Sequence, residues 1–221
     1  MRQLTICCTL NKMDIKKLIR SNRIISQQIH SNELTVILTE LKSVLDQKVD
    51  GDPVELGCYE GTSALFLQRV IKDIAPDKKL WLYDSFEGLP DKTIQDQSAL
   101  GADFRQGELR ASKARLAKNF VKAGLKIPEI KKAWFYELDP NDLPEQICFA
   151  FLDGDFYESI LDSLKLVWPK MVEGSVVIVD DYQNAKLPGV KQAVDEWATL
   201  HKLQVQAVAS LAVIRPKVVE S

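Results

Sequence analysis

The chain has 221 residues, with 29 Lys and Arg against 31 Asp and Glu, a formal net charge of −2 at pH 7. So small a net charge gives no long-range attraction to nucleic acid or to an anionic membrane, and neither is an expected partner. The hydrophobic fraction of 46% is enough for the core of one domain.

The N-terminal region is predicted to be helical. One helix is expected over residues 14–29. A second follows from apolar residues spaced three and four apart between Leu34 and Leu45, with Ser31 as its N-cap. We therefore divide the chain into a helical extension, residues 1–50, and a main domain, residues 51–221.

Two features of composition bear on the compartment. The apolar run near the start is too short to span a membrane and lacks a convincing cleavage site. The four cysteines, Cys7, Cys8, Cys58 and Cys148, show no metal-type spacing. Both features favour a reducing, cytoplasmic location.

From residue 51 onward, strand-like and helix-like segments alternate. Strands are predicted over residues 53–58, 79–84, 130–136, 147–153 and 175–180, and helices over residues 62–74, 110–124, 157–171 and 189–202. The final segments, residues 203–210 and 211–216, are too close together for a helical crossover and predict an antiparallel pair. The pattern indicates an α/β fold, a doubly wound, mostly parallel seven-stranded sheet with an antiparallel C-terminal end.

Unusual polar residues lie where the predicted parallel strands end. Glu55 and Gly57 belong to the first strand end, Asp84 to the second, Asp153 to the fourth and Asp180 to the fifth. Ligands of open parallel sheets bind beyond the carboxyl ends of the strands. If the fourth and fifth strands neighbour the first, these residues share one crevice.

The turn after the first strand, "VELGCYEGTS", is a candidate binding loop. Gly57 and Gly61 allow a tight bend and a close approach of backbone to ligand. Their G-x-x-x-G spacing does not meet the dinucleotide fingerprint, so a purely structural turn is the alternative. Asp84 favours binding, because a carboxylate at the second strand end can accept both ribose hydroxyls. It could instead cap the turn in "DSFEGLP".

Two acidic pairs follow buried-looking runs. "FLDGDFYES" contains Asp153 and Asp155, and "VVIVDDYQN" contains Asp180 and Asp181. Buried carboxylates are costly unless compensated, and a hard cation with oxygen ligands would compensate them. The alternative is that Asp155 caps the next helix and that Asp180 and Asp181 cap the turn in "YQN".

Taken together and in order, "VELGCYEG", "YDSFEGLP", "FLDGDFYES" and "GSVVIVDDY" resemble the macrocin O-methyltransferase family over residues 54–214. The resemblance implies a class I methyltransferase of Rossmann-like fold that uses S-adenosylmethionine and Mg2+. It implies metal ligands at Asp153, Asp180 and Asp181 and a general base at Asp155, with the roles of Asp153 and Asp155 left interchangeable. The implied cofactor contacts are Glu55, Gly57, Cys58, Tyr59, Gly61, Ser63, Asp84 and Ser85.

The resemblance also implies an acceptor, a sugar or other vicinal-diol small molecule, and dimers are usual among similar proteins. Two alternatives stay open: a metal-independent methyltransferase of the same fold, and a non-catalytic module that binds S-adenosylmethionine or a nucleotide. The polar stretch at residues 85–107 is predicted to be a mobile lid.

Overall fold

A computed structural model describes residues 13–100 and 104–216. No helix in these ranges is long and apolar enough to cross a membrane. Cys58 and Cys148 are buried free thiols, whereas Cys7 and Cys8 lie outside the described residues.

The described chain contains a seven-stranded sheet of order β3-β2-β1-β4-β5-β7-β6. The strands are β1 (Asp52–Leu56), β2 (Trp81–Asp84), β3 (Glu129–Lys132), β4 (Ile147–Leu152), β5 (Met171–Val179), β6 (Val205–Val208) and β7 (Leu211–Ile214). The first five are parallel, while β7 pairs antiparallel with both β5 and β6. The predicted fold class and the terminal antiparallel pair are confirmed, and β4 lies between β1 and β5.

Helices cover both faces of the sheet. They are α1 (Ile15–Ser21), α2 (Ser31–Asp46), α3 (Thr62–Ile74), α4 (Lys113–Lys122), α5 (Tyr157–Val167) and α6 (Pro188–Leu200). Side chains of α1 to α4 pack on one face with Phe149 and Phe151, and those of α5 and α6 pack on the other with Ala150 and Leu152. Because residues of β4 enter both cores, the strand is buried throughout and reads as an uninterrupted apolar run.

The N-terminal helices differ from the prediction. The first is helical only over Ile15–Ser21, and residues 22–30 form no helix. Asn22 ends α1, since its side chain donates to the carbonyl of Leu18 and its backbone is extended. The N-cap of α2 is His30 and not Ser31; the Glu33 carboxylate accepts a hydrogen bond from the His30 N–H at 2.7 Å.

Element boundaries shift elsewhere for local reasons. The third strand stops at Lys132, and a 3₁₀ turn over Phe135–Glu137 replaces the rest of the predicted strand. Helix α5 gives way to a 3₁₀ turn at Trp168–Lys170, because Pro169 cannot continue the α-helical ladder, and β5 consequently begins at Met171.

The connection from β2 to α4 is long, and its middle is anchored. Its one described helical turn, Ile94–Asp96, carries a fully buried carboxylate at Asp96. Asp96 accepts hydrogen bonds from the Tyr157 N–H at 2.8 Å and from the Thr93 N–H at 2.9 Å, which fixes the loop to the start of α5. Residues 101–103 lie outside the description, and lid motion stays a prediction.

Candidate functional site

A cavity of about 820 Å³ lies beyond the carboxyl ends of the parallel strands. Eight predicted site residues line it: Gly57, Tyr59, Asp84, Ser85, Asp153, Asp155, Asp180 and Asp181. Four others are not among its lining residues, although they belong to β1, the turn after it and the start of α3: Glu55, Cys58, Gly61 and Ser63. One crevice therefore gathers the glycine turn and both acidic pairs.

Gly57 joins the two parts of the site through its backbone. It has a positive φ of +90°, and a Cβ at this position would lie 1.8 Å from the carbonyl oxygen of Asp153. The Asp153 N–H in turn donates to the carbonyl of Leu56 at 2.8 Å. No side chain fits between these segments, so the glycine turn and the first acidic pair touch directly.

Asp84 holds the shape of the glycine turn. One oxygen of its carboxylate accepts hydrogen bonds from the N–H groups of Cys58 and Tyr59, both at 2.9 Å, and the other accepts from the Phe86 N–H at 2.7 Å. The residue is half-buried and faces the cavity. The contact with Phe86 is of the turn-capping kind considered above as the alternative for Asp84. A contact of Asp84 with a ribose stays a prediction.

Glu55 lies beneath this turn and is fully buried. Ser63 Oγ donates to its Oε1, whereas its Oε2 has no hydrogen-bond partner among the described residues. The pKa of Glu55 is raised to about 8, mainly by burial, with the Ser63 hydrogen bond opposing the rise and the nearby Asp84 carboxylate contributing to it. The raised pKa favours the protonated form of the Glu55 carboxyl.

Three carboxylates converge closely enough to bind one cation. Asp153, Asp155 and Asp181 each offer an oxygen, and these oxygens lie within 4.8 Å of one another. Asp180 lies at the same strand end but is not in this group, and its Oδ1 accepts the Asp181 N–H at 2.9 Å. Asp153 and Asp181 belong both to the predicted set of metal ligands and to this group. The third member is Asp180 in the predicted set and Asp155 in the structure.

The electrostatics of this group favour the binding of a cation. Burial raises the pKa of Asp155 to about 8, with Asp181 and Asp84 adding to the effect. Burial likewise raises the pKa values of Asp153, Asp180 and Asp181, and neighbouring acids raise them further. Mutually repelling oxygen donors of this kind fit a hard divalent cation such as Mg2+, which takes carboxylate ligands.

The backbone at two of these acids is unusual. Asp155 and Asp181 both have positive φ, 59° and 55°. Aspartate tolerates this left-handed conformation better than most residues do, and such positions cluster at functional sites. Asp155 does not cap α5, whose N-cap is Phe156, so the capping alternative for Asp155 is wrong.

Several cavity residues escaped the sequence analysis. Gln27, Gln28, His30 and Glu33 reach the cavity from the segment before α2 and its first turn, and Asn184, Lys186 and Ser210 reach it from loops. Gln27 and Gln28 fall in a helix predicted from the sequence, and the capping contact of Glu33 with His30 became visible only in the structure. Trp134, two residues beyond the end of β3, also lines the cavity.

The sequence matches the macrocin-O-methyltransferase (TylF) family over residues 27–213. It is 32% identical over 151 residues to 8-demethyl-8-(2,3-dimethoxy-alpha-L-rhamnosyl)-tetracenomycin-C 4'-O-methyltransferase of Streptomyces olivaceus, a match covering 64% of this chain and 57% of the relative. It is 30% identical over 164 residues to demethyldecarbamoylnovobiocin O-methyltransferase of Streptomyces niveus, covering 71% of this chain and 62% of the relative. The chain thus spans less than two thirds of the length of these two relatives.

Among solved structures, the O-methyltransferase NovP superposes with a TM-score of 0.75 at 27% identity, covering 86% of this chain and 81% of NovP. The calicheamicin methyltransferase CalS11 superposes with a TM-score of 0.68 at 19% identity, covering 91% and 90% of the two chains, and so supports the fold alone. Since the family match includes the glycine turn, Asp84 and both acidic pairs, this chain belongs to the macrocin-O-methyltransferase family.

Proposed function

We propose that the protein transfers a methyl group from S-adenosylmethionine to a hydroxyl of a sugar, or of another vicinal diol on a small molecule, with the assistance of a divalent cation, most simply Mg2+. The carrying observation is that the glycine turn and three converging carboxylates share one cavity of about 820 Å³. A cavity of that size is in the range of small-molecule sites.

The cofactor end of the cavity is assigned to the turn after β1. Gly57 and Tyr59 line the cavity at this turn. The Asp84 carboxylate holds the turn in place, because it accepts hydrogen bonds from the N–H groups of Cys58 and Tyr59. Trp134, Phe135 and Ser85 line the same cavity and offer surfaces for the nucleoside. The role of the chain at this end is to bind and orient a methyl donor that is already reactive.

The cation end of the cavity is assigned to the acidic pairs. Asp153 and Asp181 are ligands whether the third ligand is Asp155 or Asp180. The geometry favours Asp155 over Asp180 as the third ligand, because its oxygen lies within 4.8 Å of the other two. If Asp180 is the ligand instead, Asp155 is free to accept the proton of the acceptor hydroxyl at its carboxylate.

When bound, S-adenosylmethionine would supply the methyl group and a divalent cation would make the acceptor hydroxyl more acidic. The residues of the chain then have three tasks: to orient the acceptor, to take up its proton at a carboxylate and to exclude water. Gln27, Gln28 and His30 line the cavity from the N-terminal side and are assigned to the acceptor. The tetracenomycin relative, whose name specifies a rhamnosyl group and O-methylation at the 4' position, supports a sugar as acceptor.

The test is methyl transfer followed by mass spectrometry, with glycosylated small molecules, simple sugar diols and catechols as acceptors, with Mg2+ and with a chelator. We expect product that depends on Mg2+ and disappears in Asp181→Asn. Undiminished product in the chelator would favour the metal-independent alternative. Binding of S-adenosylhomocysteine without transfer to any acceptor would favour the non-catalytic module.

The choice between Asp155 and Asp180 has its own test, the affinity for Mn2+ of Asp155→Asn beside Asp180→Asn. We expect Asp155→Asn to lose the ion and Asp180→Asn to retain it, because only Asp155 belongs to the converging group. If Asp180→Asn loses Mn2+ and Asp155→Asn retains it but turns over slowly, Asp180 is the ligand and Asp155 the base. A general base typically contributes about 10²–10⁴ in rate.

A further inference from the structure

We propose that Asn184 is a positioning residue for the cation site: its side-chain amide holds the Asp181 carboxylate in the orientation in which it can bind a divalent cation. The proposal rests on the proposed function, because it concerns the group of acids to which that function assigns the cation.

The orientation of the Asn184 amide is decided by its two partners. Asn184 Nδ2 donates to Asp181 Oδ1 at 2.8 Å, and Asn184 Oδ1 accepts the N–H of Lys186 at 3.0 Å. A backbone N–H can only donate, so the amide oxygen must face Lys186 and the NH₂ group must face Asp181. A flipped amide would place two acceptors together on one side and two donors together on the other.

The backbone of Asn184 is held as firmly as its side chain. Its N–H donates to the Asp181 carbonyl at 3.0 Å, and its own carbonyl accepts the N–H of Leu187 at 2.9 Å. The residue is half-buried and lines the cavity beside Asp181. Because both its main chain and its side chain are fixed, Asn184 can fix the carboxylate to which it donates.

This contact suits a residue that supports a ligand. The hydrogen bond occupies Oδ1 of Asp181 and leaves the second oxygen to bind a cation. The amide donor is neutral, whereas a lysine in its place would add a positive charge that competes with the ion. Hydrogen-bonded partners of this kind fix the orientation of ligating carboxylates, and their loss typically costs 10–100-fold in metal affinity.

The alternative is that Asn184 merely closes a local turn. Asparagine commonly bonds the backbone two residues on, as Asn184 Oδ1 does with the Lys186 N–H. The two roles use different atoms of one amide: the turn needs Oδ1, and the positioning role needs Nδ2. Aspartate serves such turns as well as asparagine does but has no donor to offer Asp181, so Asn184→Asp separates the roles.

The experiment titrates Mn2+ into the full chain by electron paramagnetic resonance, without acceptor, and measures S-adenosylhomocysteine binding by calorimetry. The variants are Asn184→Asp and Asn184→Ala. The control is Asn22→Ala, which removes another half-buried asparagine whose Nδ2 donates at 2.9 Å, to the Leu18 carbonyl and away from the cavity.

We expect both Asn184 variants to bind Mn2+ about 10–100-fold more weakly. S-adenosylhomocysteine affinity should stay unchanged, and Asn22→Ala should match the wild type in both measurements. Wild-type Mn2+ affinity in Asn184→Asp would overturn the proposal in favour of the turn. A parallel loss of both ligands would overturn it in favour of a general disturbance. If the wild-type chain itself binds no Mn2+, the metal assistance in the proposed function fails, and this inference fails with it.

Discussion

The contact between Gly57 and Asp153 makes a sharp prediction for Gly57→Ala. The added Cβ would lie 1.8 Å from the Asp153 carbonyl oxygen and 2.7 Å from its carbonyl carbon, where contacts under 3.0 Å are essentially never seen. Neither partner can retreat easily, because the Gly57 N–H donates to Tyr83 and the Asp153 N–H donates to Leu56, both at 2.8 Å. The two strand ends must therefore separate.

The expected cost has two parts. Holding alanine at a positive φ costs about 1–2 kcal/mol, and forcing extra volume into a packed position typically costs about 1–3 kcal/mol. We expect Gly57→Ala to lower the free energy of unfolding by about 2–5 kcal/mol, measured by urea denaturation without ligands. Because the turn and Asp153 move together, S-adenosylhomocysteine and Mn2+ should both bind more weakly.

Gly124→Ala is the matched control. Gly124 also has positive φ, +65°, but an added Cβ there would meet no atom of the described chain within 4 Å. This variant isolates the backbone term, and the difference between the two variants measures the clash with Asp153. The reasoning is refuted if Gly57→Ala is no less stable than Gly124→Ala and binds both ligands as tightly as the wild type.

Three further predictions concern buried or half-buried acids. Asp84→Ala should weaken S-adenosylhomocysteine binding by about 1–3 kcal/mol in calorimetry, since it removes the acceptor that shapes the turn, and unchanged affinity would contradict this. Asp96→Ala should lower the free energy of unfolding by about 1–3 kcal/mol and speed amide exchange in residues 89–100, because the Tyr157 N–H loses its partner; unaltered exchange would show that the loop is held otherwise. Glu55→Gln should change how stability depends on pH in the absence of divalent cations. Glu55 keeps its proton in the folded chain up to a pKa of about 8 but releases it near 4.5 when unfolded, so wild-type stability falls as pH rises between these values. The advantage of Glu55→Gln over wild type should grow across that window, and an advantage that is constant with pH would exclude the assignment.

The parts of the fold that the sequence predicts are those with dense local signals. Strands buried on both faces, such as Ile147–Leu152, read as apolar runs, and the acids that follow them stand out by contrast. Alternation with helices then places those acids at one edge of a parallel sheet. The gathering of Asp153 and Asp181 in one cavity follows from this logic.

Other features of the fold and the site depend on backbone conformation or on contacts between distant residues, which a local sequence pattern does not predict. Whether Asp155 or Asp180 joins the converging group depends on the left-handed backbone at Asp155 and Asp181. The anchor at Asp96 joins residues 61 positions apart, and nothing near Asp96 in sequence points to Tyr157. Residues 22–29 belong to the part of a predicted helix that does not form, and nothing local in their sequence showed that they approach the cavity.

The two edges of the sheet constrain how copies of this chain can associate. Both edge strands, Glu129–Lys132 and Val205–Val208, have only four residues. The first also carries Lys131 and Lys132, which form ion pairs with Asp142 and Glu87. Short edge strands, and charges on one of them, discourage the pairing of strands between molecules that leads to fibrils and continuous sheets. Self-association of this chain, dimerisation included, would therefore be expected to use its helical faces, and a high local concentration should not by itself lead to aggregation through the sheet.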